Sequence, residues 1–322
     1  MRFGVGFFPA EPAATTVELA RLADQVGYDS VWVGDSHLIW RELYVLLGAI
    51  AVSTSKVVIG SSVTNPVTRH LTVTAGAMAT LCELSRGRAI LGIGSGDSAL
   101  KNLGKKGVRL RDLEEAILVL RRLLQGEKLE LDGYPVHLAA PVEHRIPIYL
   151  AAAAPKMQEL AGRIADGVVV GFWPDMERGL SCVRQAERAA NRKQGEVKIV
   201  LWTPCAVAED SLEAMEAVKP QVARRLLSAA SRGVLNKEEL VAVERLRRSY
   251  DFRHHMGAEH SHLVPDELVD KFAVAGTPDQ VREKIKRIAA LGDVDEIAII
   301  PWGKDRQGVI RAFAEKVMRS VG

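Results

Sequence analysis

Eight short apolar runs, each followed by a segment with helical periodicity, constrain this chain more than any other feature. They begin near Arg2, Ser30, Lys56, Arg88, Pro147, Gly167, Val197 and Glu296. Val57-Val58-Ile59 and Ala89-Ile90-Leu91 are almost continuously apolar, which suits a parallel strand covered on both faces. Between the strands, residues 110–124 set Leu113, Ile117, Leu120 and Leu124 on one helical face. Eight strands alternating with helices predict an α/β fold of the (β/α)8 TIM-barrel type, with insertions at the carboxyl-end face. A doubly wound sheet is the rival, but it rarely uses eight parallel strands.

Local punctuation supports the same path. Residues 15–26 read as a helix entered through Thr15 or Thr16, with Glu18 in its first turn and Gly27 closing it. Residues 128–138 read as a hairpin turning at Asp132-Gly133. From 209 to 273 the rhythm breaks into a charged, mostly helical insertion, with helices over 212–230 and 237–250. It resumes at Thr277-Pro278-Asp279, a threonine cap with proline at the first helical position. The expectation is one domain over 1–322, with 209–273 a helical insertion within it.

The 322 residues carry a formal net charge of only +3, so no general nucleic-acid role follows. No apolar run approaches the ~20 residues that a membrane helix needs. Cys82, Cys182 and Cys205 are odd in number, widely spaced and set among apolar neighbours. They read as reduced thiols of a cytoplasmic protein.

In α/β barrels ligands bind where strands end at their carboxyl side, and that edge holds the candidate chemistry. Asp35, Ser36 and His37 follow the second strand. Asp35 could be a helix cap or a site residue, and His37 a general acid or a satisfied loop residue. Ser61-Ser62-Val63-Thr64-Asn65-Pro66 closes the third strand, as a plain Asn-Pro loop or as a kink that presses a ring. After the fourth strand, Gly92-Ile93-Gly94-Ser95-Gly96-Asp97 lacks the spacing of a dinucleotide fingerprint. Its glycines suit a loop lying close to a ligand. Ala151-Ala152-Ala153-Ala154-Pro155 ends the fifth strand with small side chains before a helix N-terminus. That suits either a ligand against backbone or tight helix–strand contact. His254, His255, His260 and His262 are dense enough for a metal but lack the spacing of a zinc site, so no metal is assigned.

The segments 31–37, 61–70 and 87–97 together resemble the bacterial luciferase-like superfamily. Tyr149-Leu150-Ala151-Ala152, residues 161–167 and Ala275-Gly276-Thr277-Pro278-Asp279 agree. Within that superfamily the chain is most similar to the deazaflavin-dependent methylenetetrahydromethanopterin reductases. The resemblance spans nearly the whole chain and is weakest over 209–270. It implies a TIM barrel that binds coenzyme F420, or flavin mononucleotide (FMN) as in many relatives, at the carboxyl ends of the strands. It also implies a cis peptide at Ser62-Val63 and cofactor contacts from Asp35, Ser62, Val63, Asn65, Gly94, Ser95, Gly96, Asp97, Ala152, Ala153 and Ala154. The sugar-phosphate dehydrogenase branch has His directly after the Asp and a Glu in the Gly-rich loop. Here Ser36 and Asp97 stand there, and Gly171-Phe172-Trp173-Pro174 replaces a phosphate-binding lysine. Glucose 6-phosphate is therefore a poor candidate.

The expected activity is hydride transfer between F420 and a small electrophilic substrate, with Asp97 or His37 as acid and Asp35 holding the ring or its neighbour. An FMN-dependent monooxygenase and a non-catalytic cofactor carrier are the alternatives. Asp97 is expected to be partly desolvated. No membrane or nucleic-acid partner is expected, and relatives suggest a homodimer or higher homo-oligomer.

Overall fold

The computed structural model describes residues 1–140, 142–171, 176–230, 233–249 and 258–321, without the side chains of 249 and 258–260. The first elements are β1 (Arg2–Phe7), α1 (Ala13–Val26), β2 (Ser30–Val33), α2 (Leu43–Ser53), β3 (Val58–Ser61) and α3 (Leu71–Leu84). There follow β4 (Ala89–Ile93), the one-turn α4 (Ser98–Lys101), α5 (Leu110–Leu124), and a hairpin of β5 (Leu129–Leu131) and β6 (Tyr134–Val136). Next come β7 (Ile148–Ala151), α6 (Pro155–Ile164), β8 (Gly167–Gly171), α7 (Met176–Ala189) and β9 (Lys198–Val207). The chain then forms α8 (Ser211–Ala230), α9 (Lys237–Ser249), α10 (Asp266–Phe272), β10 (Val274–Gly276), α11 (Pro278–Ala289), β11 (Glu296–Pro301) and α12 (Arg306–Phe313).

Strands β1, β2, β3, β4, β7, β8, β9 and β11 are hydrogen-bonded neighbours in that order. Because β11 pairs with β1, the ring of eight is closed, and the fold is a TIM barrel. Every residue of β2 and β4 is buried, the reason their sequences are apolar without alternation. The hairpin turns as expected at Asp132 and Gly133, both at positive φ (51° and 81°), the geometry of a type I′ turn.

Contacts divide the chain into two compact units. One comprises Gly6–Val169 with Cys182–Lys198; the other comprises Met1–Val5, Val170–Ser181 and Ile199–Gly322. In the first, α1 starts earlier than its sequence suggests. Pro12, not a threonine, holds the N-cap position, and no side chain caps the helix. The proline presets φ for the turn, while Thr16 faces inward and is buried. At the amino end of β3 the carboxylate of Asp24 accepts from the backbone N–H groups of Ser55, Lys56 and Val57 at 3.1, 2.8 and 2.8 Å.

In the second unit, the segment after β9 builds a core of its own. Val218, Val222, Leu226, Val243, Leu246, Val269 and Phe272 are buried together, with Ala206 from β9. Its helices Ser211–Ala230 and Lys237–Ser249 match the sequence expectation closely. The three-residue β10 was not anticipated: it pairs in parallel with Cys205–Val207, at the carboxyl end of β9. So the segment both leaves and rejoins the sheet at that end. Residues 250–257 of the insertion, with His254 and His255, lie outside the described residues.

Candidate active site

The described site residues of the first unit gather where β2, β3, β4 and β7 end. Strand β3 ends at Ser61, but sheet-like backbone bonds continue beyond it. Ser62 donates its N–H to Val33 O at 2.7 Å, Thr64 N–H to Gly92 O at 2.9 Å, and Gly94 N–H to Thr64 O at 2.9 Å. Between them the Ser62–Val63 peptide is cis, as the resemblance implied.

The glycines after β4 serve the protein before any ligand. A Cβ on Gly92 would stand 1.9 Å from Ser61 O, so nothing larger fits there. One on Gly94 would meet Val63 at 3.0 Å and Ala151 at 3.3 Å. Of the three, Gly96 alone has positive φ, +87°. The loop beyond closes back upon this segment, with Val108 N–H donating to Ser95 O at 2.9 Å.

Asp35 is the buried charge of the site, its side chain only 3% exposed. It is not a helix cap. Thr64 Oγ1 donates to it at 2.7 Å, and Arg69 bridges Asp35 and Glu42, at 2.6 Å to each. Burial works against the Arg69 charge, but these two carboxylates outweigh it and hold the guanidinium above its ordinary pKa. Tyr44 lies beneath, its ring centroid 5.0 Å from the guanidinium carbon. Burial pushes the Tyr44 phenol up to about 12; Arg69 opposes the shift and Asp35 adds to it. The Tyr44 hydroxyl sits beside those of Thr64 and Thr74 with no aligned hydrogen bond to either.

Asn65 is buried and its Oδ1 accepts from the backbone of Val67 and Thr68 at 3.0 Å each, an Asx turn that does not use the amide nitrogen. Ser36 is buried and hydrogen-bonded to Ser98 at 2.8 Å, tying the β2 loop to the loop that carries Asp97. Next to it, His37 buries Nδ1 with no hydrogen-bond partner among the described residues. Ala152 is fully buried, whereas Ala153 is exposed and Ala154 part-exposed. The amides of Met157 and Gln158 already bond to Ala154 O, so α6 offers a ligand fewer free N–H groups than its sequence suggests.

The barrel alone does not desolvate Asp97, which was expected to be covered by ring and barrel together: its carboxylate is 55% exposed and pairs with Lys101 at 2.6 Å. The cause is local: Asp97 is the residue before one-turn α4, so its side chain reaches the cation one turn on. Sequence reasoning gave no role to Arg69, Glu42, Tyr44 or Thr64. The available signal was Asp35 itself, since a carboxylate buried at a strand end demands a partner.

Comparison with known proteins agrees along the full length. The model of the luciferase-like monooxygenase family matches residues 1–295. A 5,10-methylenetetrahydromethanopterin reductase of Methanolobus tindarius is 30% identical, over 99% of this chain and 100% of its own. An F420-dependent glucose-6-phosphate dehydrogenase of Amycolatopsis mediterranei is 28% identical, over 94% of this chain and 92% of its own. Among solved structures, a coenzyme F420 dependent tetrahydromethanopterin reductase from Methanopyrus kandleri has TM-score 0.86 and 26% identity, covering 100% of this chain and 99% of that one. Closed barrel, cis peptide and whole-length match thus point the same way: this chain belongs to the luciferase-like monooxygenase family.

Proposed function

We propose that the protein is an oxidoreductase that moves a hydride between reduced coenzyme F420 and a small electrophilic substrate, in the manner of methylenetetrahydromethanopterin reductases. The observation that carries this reading is the end-to-end likeness to the Methanolobus tindarius reductase. The residues present fit a flat ring. Gly94 and Gly96 add no side chains of their own to the β4 loop, Asn65 has an amide nitrogen to give, and His37 has a buried ring nitrogen with no partner among the described residues.

When bound, the cofactor supplies the hydride chemistry, and the protein supplies orientation and a proton. Asp35 is held by Arg69 and Thr64, so its part is to orient. Asp97 is engaged with Lys101 and its side chain is more than half exposed, away from the buried part of the site. His37 is therefore the proton donor of this reading, with Ser36 and Ser98 fixing the loop that bears it. Ser62, Val63, Ser95 and Ala152–154 line the remaining ring and tail contacts. A cytoplasmic setting fits three cysteines that form no disulfide.

A homodimer completes the proposal. Helices α2 and α3 are apolar on their outer faces as well, with Val45 72%, Val52 69%, Val73 58% and Leu84 45% exposed. Gly48 and Gly76 have open space above them, which lets a second helix approach closely. Purification from a deazaflavin-producing host tests the cofactor: the absorption spectrum of the bound chromophore should be that of F420. A flavin spectrum would favour the FMN-dependent monooxygenase instead.

A further inference from the structure

The loop between α4 and α5 holds charge that the proposed hydride transfer does not use. Residues 97–112 contain Lys101, Lys105, Lys106, Arg109 and Arg111 against Asp97 and Asp112, an excess equal to the formal +3 of all 322 residues. The rest of the chain is neutral overall, so this is a local concentration and not a share of a basic surface.

Two of the five cations are engaged. Lys101 pairs with Asp97 at 2.6 Å and Arg109 with Asp112 at 2.8 Å. Lys105, Lys106 and Arg111 are exposed and have no ion pair among the described residues. Arg109 and Arg111 stand at the start of α5, where positive charge opposes the helix dipole. A merely solvated loop has no reason to place them there.

The loop is also fixed in place. Lys105 N–H donates to Leu100 O at 2.9 Å, and Val108 N–H to Ser95 O at 2.9 Å. Gly107 lies so close to the Gly-rich segment that a Cβ on it would stand 3.0 Å from Gly96 O. The lysines at 105 and 106 are thus anchored, through Gly107 and Val108, to the backbone that borders the proposed ring site.

We propose that Lys105 and Lys106 bind the anionic oligoglutamate tail of the deazaflavin cofactor. This rests on the F420 reading above and adds a recognition site beyond the ring. Each glutamate of the tail carries a carboxylate, so an extended polyanion meets a fixed pair of lysines that has no internal partner. The contact lies in solvent; it sets affinity and tail-length preference, and it is screened by salt.

The test is fluorescence titration of F420 with a long glutamate tail, and of the same cofactor lacking glutamates, against wild type and Lys105→Gln/Lys106→Gln. Both lysines are exposed, so the variant should fold normally. The proposal predicts a Kd for the long-tailed cofactor about tenfold weaker in the variant, with reduced salt dependence. Binding of the tail-less cofactor should be unchanged. Equal weakening of both forms, no weakening of either, or an effect confined to the substrate KM would overturn the tail site while leaving the F420 assignment intact. A wild type that binds neither cofactor would overturn the F420 assignment and the tail site with it.

Discussion

At the residue scale, the site consists of one buried anion with a dedicated counter-charge and two further candidates for the proton. Arg69→Met would leave Asp35 with no cation in a place only 3% exposed. Loss of one partner of such a pair costs about 3–5 kcal/mol. Urea denaturation should show a loss of that order, with Arg69→Lys recovering part of it; an unchanged midpoint would mean that the pair contributes nothing. For the proton, His37→Gln should lower kcat by about a hundredfold or more with cofactor affinity little altered. Asp97→Asn should lower it less than about tenfold, because that carboxylate already serves Lys101. The reverse ranking in steady-state assays would return the acid role to Asp97. Asp35, His37 and Asp97 were legible because each follows an apolar run. Arg69 was not, because it comes 34 positions after its partner and only the fold brings the two together.

At the element scale, strand ends and turns did more than strand middles. Gly92 reads as a ligand-facing glycine, yet its first duty is the approach of Ser61 O, seen only once β3 and β4 lie side by side. Gly92→Ala should therefore destabilise by about 3 kcal/mol or more, read as a lowered melting temperature. Retention of wild-type stability would show that β3 can move aside. Strand β10 escaped notice because Val274-Ala275-Gly276 is too short to display a period. Asp24 ties α1 to the start of β3 by three backbone bonds. Burial opposes its ionisation, but those bonds outweigh burial and lower its pKa below 3.8 in the folded state. A lowered folded pKa means the stabilisation is complete above the unfolded value and fades as pH falls through the folded one. Asp24→Asn should thus lose about 1–3 kcal/mol near neutral pH, with the deficit shrinking as the medium turns strongly acidic. A deficit that stays constant down the acid range would contradict that assignment.

At the scale of the whole molecule, the barrel was the most legible level, since eight repeats of one pattern tolerate misjudged boundaries. Oligomeric state was less so. Exposed Val45, Val52 and Val73 look like ordinary core positions until the helices are placed. Light scattering at micromolar concentration should give the mass of a dimer, and Val45→Glu/Val73→Glu should give that of a monomer; a monomeric wild type would end the dimer proposal. Among the described residues no helix is long and apolar enough to cross a membrane. In the proposed reaction a hydride passes from the deazaflavin ring to a small electrophilic molecule. The direct measurement uses reduced F420 deuterated at C5, with a methylene-tetrahydropterin as acceptor and mass spectrometry of the product. Deuterium should appear in the reduced product at the rate at which F420 is oxidised. Absence of label, with turnover appearing only when reduced FMN and O₂ are supplied, would contradict it.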